Sequence, residues 1–178
     1  MTPRAIEEFR VLRDTVRSRG TARVWAFLAG LVSWGALTIA TASLAALPVA
    51  TFLPLLILAI TFEAVFSLHV GVERIGRYIQ VFHEEGGQGW EHAAMAFGRP
   101  KGAAATDPLF TILFALAIVF NAAPALLLHP TIEEIVFVGG AHALFALRLV
   151  LGRAAAARQR AIDLERFAQL KSCTKSGT

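Results

Sequence analysis

Four stretches of about twenty residues each, nearly empty of charge, dictate what this chain can fold into. They run over 24–47, 49–70, 109–128 and 132–151. Crossing a membrane takes about 20 mainly apolar residues, and in lipid only a helix or a closed barrel satisfies its own backbone. Each stretch has that length. The first holds no charge, and the second is interrupted only by Glu63 and His69. The fourth is the least hydrophobic and carries Glu133, Glu134, His142 and Arg148. The chain is 56% apolar and 17% charged, against about 45–50% and about 25% in soluble domains, so a soluble single domain is excluded. The expected fold is all-α: an integral membrane four-helix bundle with four transmembrane helices, a long second helix and amphipathic cytoplasmic flanking helices.

Charge placement gives an expected orientation. Segment 1–23 holds six Arg, 71–107 holds Arg74, Arg77, Arg99 and Lys101, and 152–178 holds six further Lys and Arg. The short connections near Pro48 and at 129–131 hold none. Lys and Arg near span ends stay on the cytoplasmic side, which places both termini and the central loop there. Arg outnumbers Lys 14 to 3 and Ala is abundant, the composition expected of a GC-rich bacterial genome and hence of a bacterial inner membrane. The domain expectation is an amphipathic helix over 1–23, a four-span region over 24–152 with its loop at 71–107, and a basic helix and tail over 153–178. The lone Cys173 excludes an intramolecular disulfide and multi-cysteine metal sites.

Local signals mark the helix ends. Asp107-Pro108 reads as a cap followed by Pro at the first helical position. Thr131 and Glu134 have capping-box spacing, and Pro48 and Pro54 mark the turn into the second span. Glycines 86, 87 and 89 read as a helix stop. Small residues recur in the first span as Ala26/Gly30, Ala29/Ser33 and Ala36/Ala40, a spacing that admits close helix approach in lipid. Ile6, Phe9, Leu12 and Val16 share one face of an N-terminal helix, and Trp90, Ala93, Ala94 and Phe97 one face of a short helix in the loop. Trp25 and Trp90 suit interfacial positions.

Two constellations carry the functional expectations. The second helix is expected to run on to about Glu85, with Gly71 and Gly76 as its weak points. His69, Glu73, Arg77, Gln80 and Glu84 then share one stripe, opposite Leu68, Val72, Ile75, Ile79 and Phe82. The simplest reading is a solvated face. Alternatives are a docking or ligand face, or a metal site at His69 and Glu73 with His83. His83 and His92 themselves read as solvated. The second constellation is a polar layer within the membrane: Ser33, Thr61, Glu63, Asn121 and His142 lie about 12–18 Å from the inner boundary at about 1.5 Å of rise per residue. Buried intramembrane carboxyls pair, so a Glu63–His142 contact is expected.

No phosphate loop, nucleophile elbow, zinc-protease helix or dinucleotide fingerprint is present in the sequence. The leading expectation is a non-enzymatic membrane subunit or scaffold that docks a partner at its cytoplasmic face, with no cofactor. A small oligomeric proton or cation pathway through the Glu63–His142 pair stands second, and a haem- or metal-binding membrane protein third. Expected partners are the bilayer, anionic headgroups at the Arg-rich termini, and a second copy or membrane-complex subunit, not nucleic acid.

Overall fold

The computed structural model describes residues 2–44, 47–84, 89–97 and 108–176. They form five α-helices and one 3-10 turn: α1 (Pro3–Leu44), the turn Pro48–Thr51, α2 (Phe52–Phe82), α3 (Trp90–Phe97), α4 (Pro108–Leu127) and α5 (Ile132–Ser176). α1, α2, α4 and α5 are long and apolar enough to cross a membrane, and the protein is an all-α, multi-pass membrane protein.

The second helix is unbroken through Gly71 and Gly76 and ends at Phe82, a turn earlier than expected. The N-terminal amphipathic segment and the first span form one 42-residue helix, and the fourth span continues without a break to Ser176. The Thr131 box closes in both directions. The Glu134 N–H donates to Thr131 Oγ1 at 3.3 Å, and the Thr131 N–H donates to Glu134 Oε2 at 2.9 Å. Just before it, His129 takes φ 52°, the left-handed conformation that ends helices and reverses the chain between α4 and α5. The Asp107 cap and glycines 86 and 87 lie outside the described residues.

The chain divides into two compact units. An apolar unit comprises 23–66 and 107–152; a polar unit comprises 1–22, 67–106 and 153–178. Among the described residues, every Lys and Arg except Arg23 and Arg148 falls in the polar unit.

The apolar unit is organised around phenylalanine. Phe62 of α2 meets Phe114 of α4 and Phe145 of α5 edge-on at 5.4 and 5.9 Å, and Phe27 of α1 meets Phe114 at 5.7 Å. All four helices thus contribute a ring to one cluster. Lipid tails are as apolar as these side chains, so the gain comes from ring geometry and tight packing rather than from escaping water. The small-residue spacing on α1 is used at Gly30: a Cβ there would collide with the Thr61 side chain on α2. Glycine at that position lets the two helices approach closely.

In the polar unit, Tyr78 stacks on Phe82 at 4.6 Å and meets Phe167 edge-on at 5.6 Å. Ile79 is wholly buried. Lys171 Nζ donates to the Val81 carbonyl in the last turn of α2, where helix carbonyls lack intrahelical partners.

Candidate functional site

The apolar unit buries one polar node, and Asn121 is its centre. Its side chain is 0% exposed. Trp34 Nε1–H donates to Asn121 Oδ1 at 3.0 Å, and Asn121 Nδ2 donates to the Thr51 carbonyl at 2.9 Å. The same Nδ2 lies 3.0 Å from His142 Nε2, and His142 Nδ1 lies 2.7 Å from the Val138 carbonyl. A carbonyl only accepts, so Nδ1 carries the hydrogen and Nε2 accepts from Asn121. The amide then uses its oxygen and both its hydrogens. An imidazolium would turn two donors toward each other, and an amide flip would set Oδ1 against the Thr51 carbonyl. The node therefore admits one arrangement, that of the neutral imidazole.

This corrects the expected Glu63–His142 contact. Glu63 instead pairs with Arg148: Arg148 Nε lies 2.7 Å from Oε1, and Arg148 Nη2 donates to Oε2 at 2.8 Å. The physical reason is the reach of arginine, whose long side chain carries its charge well away from its own Cα. The guanidinium also lies over the rings of Phe62 and Phe66, at 5.5 and 5.3 Å. Of the expected layer, Asn121 and His142 meet, while Glu63 faces outward from α2. Thr61 bonds to its own helix at the Ile57 carbonyl and packs at Gly30, and Ser33 is exposed. Glu63 and His142 thus have separate partners, Arg148 and Asn121.

The α2 stripe in the polar unit is also corrected: it is an interior face, not a solvated one. Arg77 is 1% exposed; it donates to Glu73 at 3.1 Å and to Asp163 of α5 at 2.9 Å. Arg160 donates to Glu73 at 2.6 Å, Arg74 Nε donates to Asp163 at 3.3 Å, and His69 lies 3.7 Å from Glu73. The expected docking face is thus met by α5 of the same chain. Gln80 keeps a buried Oε1 without a hydrogen-bond partner. The reason for the correction lies on α5: Asp163 and Arg160 supply the opposite charges that permit an ionic stripe to be buried.

At the end of the stripe, Glu84 holds α3. Its carboxylate accepts from the backbone N–H of Glu91 at 2.8 Å and of His92 at 3.0 Å, and lies 2.8 Å from His92 Nδ1. A Cβ at Gly89 would collide with Glu84, so glycine there is what admits the carboxylate. Burial opposes ionisation of Glu84, yet the backbone donors and His92 hold it below the ordinary carboxylate range. Burial pushes Glu91 up, with Arg13 at 2.7 Å opposing. His83 and His92, expected to be solvated, are both engaged: His83 packs on Phe9 and Tyr78 with its ring 5% exposed, and His92 binds Glu84. Among the described residues, no group of three or more His, Cys, Asp and Glu is arranged to hold a metal ion.

Sequence reasoning missed Asp163, Arg160, Thr51 and the indole N–H of Trp34 as partners. A signal for Asp163 existed: it is one of two acids in the basic segment 152–178. No family model, curated protein or solved structure matches the chain.

Proposed function

We propose that the protein is a non-enzymatic membrane subunit or scaffold that holds a partner on the cytoplasmic side of a bacterial inner membrane. The observation that carries this reading is the construction of the polar unit. The charges of its stripe are paired within the unit, so the stripe acts as a frame. The exterior of that frame carries an open groove of about 270 Å³, lined by Glu8, Leu12, Arg74, Ile75, Tyr78 and Phe167. Tyr78 Oη–H donates to Glu8 at 2.7 Å, fixing one wall. An apolar floor with an acidic and a basic rim suits an amphipathic segment that inserts one or two apolar anchors.

The concentration of Lys and Arg in the polar unit supports its cytoplasmic placement, with both termini on that side. Arg-rich stretches of α1 and α5 would then meet anionic headgroups. Purification in mild detergent tests the reading. A second polypeptide at fixed stoichiometry is expected, and Leu12→Arg or Ile75→Arg should release it. Recovery of this chain alone, as one copy or several, overturns the proposal. Reporter fusions at residues 48 and 130 should read as non-cytoplasmic, and a cytoplasmic readout at either overturns the orientation.

A further inference from the structure

The Glu63–Arg148 pair is out of place for a membrane span. Glu63 is 51% exposed and Arg148 41%, on the surface of the apolar unit. Taking inner boundaries near 71 and 152, they sit about 12 and about 6 Å inside the membrane by helix rise. A charged side chain at such depth normally faces protein or water rather than lipid. The pair also leaves bonding capacity unused. Glu63 engages Arg148 through Nε–H and one Nη2–H, while a guanidinium has five N–H donors.

The surroundings of the pair are regular. α2 and α5 run parallel here, because Phe52 meets Phe137 at 5.6 Å and Glu63 meets Arg148 eleven residues further along each helix. The seam therefore keeps one register over about 16 Å. On either side of it, Leu56 and Ile60 of α2 and Leu144 and Leu151 of α5 are exposed.

We infer that this α2–α5 seam is the interface of a two-fold homodimer, in which Glu63 of each copy meets Arg148 of the other. Charge complementarity selects a second copy as the occupant. Two copies inserted in the same orientation are related by an axis along the membrane normal, which preserves depth. Facing copies related this way exchange left and right, so the acid on α2 lies opposite the base on the other copy's α5. The contact is isologous and self-complementary: four charges alternate around a closed ring, and the outward guanidinium N–H groups find acceptors. Phe52 and Phe137 would meet their counterparts in the same way at the other end of the seam.

The test uses two differently tagged full-length copies, co-expressed and captured through one tag in mild detergent. Wild-type copies should be captured together. Glu63→Arg alone faces four bases against one another, and Arg148→Glu alone four acids, so each should lose self-capture. Co-expressing the two variants sets the two bases of one copy opposite the two acids of the other, and should restore capture. Failure of wild-type copies to associate overturns the dimer, as does capture unaffected by either reversal. Absence of rescue in the mixed pair overturns it too, and would leave a lipid headgroup or another protein as the cover. If a reversed variant does not accumulate, Ile60→Cys on one copy and Leu144→Cys on the other, both carrying Cys173→Ser, probe the same seam with the pair intact. Oxidative cross-linking between copies is expected, and its absence in membranes overturns the interface. This readout is independent of the groove in the polar unit, so either proposal can fail without the other.

Discussion

Asn121 in the apolar unit and Arg77 in the polar unit are equally hidden from solvent, yet they are satisfied by different means. Asn121 is neutral, and each of its three hydrogen-bonding positions meets one partner. Arg77 carries full charge and is held by two carboxylates, which are in turn shared with Arg160 and Arg74. Hydrogen bonds alone can match a buried dipole. A buried charge needs a counter-charge, and its counter-charge needs further support, so ionic burial spreads into a network whereas dipolar burial closes on itself. The difference follows from the solvent each unit is built for. Where water can reach the edges, as at half-exposed Arg74, a network can be finished by hydration.

The comparison breaks most sharply at Arg77. Arg77→Met leaves Asp163 buried with only Arg74 and Gln159 beside it, and should cost about 3–5 kcal/mol in the stability of the polar unit. The double variant Arg77→Met/Asp163→Leu should recover most of that loss, because Glu73 retains Arg160. A chemical-denaturation series in detergent checks both. Asn121→Leu should cost less, about 2 kcal/mol, because it strands three neutral groups rather than a charge. Steric trap or thermal measurements on the same preparation rank the two, and a larger loss at Asn121 would reverse the comparison.

Two smaller effects sharpen it. Gly30→Ala should lower stability by about 1–2 kcal/mol through collision with Thr61, and Thr61→Ala in the same chain should relieve part of the loss. Glu84→Gln should loosen α3 by about 0.5–1 kcal/mol, read as faster amide exchange at Glu91 and His92 after correction for intrinsic rates. The pH dependence has a definite sign. Glu84 is held below its ordinary range, so its contribution is complete above about pH 4.3 and disappears as pH falls through its lower folded-state value. Glu91 is raised, so its contribution is complete below about pH 4.3 and disappears as pH rises through its raised value. In Glu84→Gln the acid-side loosening should vanish, while the Glu91 dependence, set first by burial and partly by the Glu84 charge, should persist in reduced form.

The four spans, the unbroken α2 and the Thr131 box were legible in the sequence because each rests on local rules: run length, absence of breakers, and a fixed three-residue spacing. Pairings across helices were not. Depth along an axis placed Asn121 and His142 in one layer correctly, but depth says nothing of azimuth, and Glu63 points away from both. Side-chain length also misled. Measured at Cα, His142 lay nearer Glu63 in depth than Arg148 did, yet arginine spans the difference. The stripe from His69 to Glu84 was recognised as a stripe but read as wet. Charge on one helix cannot reveal whether an opposite charge waits on another, and Asp163 lies 86 positions from Arg77.

The membership of the Asn121 node also fixes an order of events during synthesis. Trp34 and Thr51 leave the ribosome first, Asn121 follows about seventy residues later, and His142 comes last. When α4 enters the bilayer, an acceptor and a donor for its amide are already in place, and a single amide hydrogen is left over. The fourth span then arrives carrying the one ring nitrogen that takes this hydrogen. A nascent chain halted before residue 132 holds an asparagine with one hydrogen unclaimed, and release of the remaining chain supplies the group that claims it.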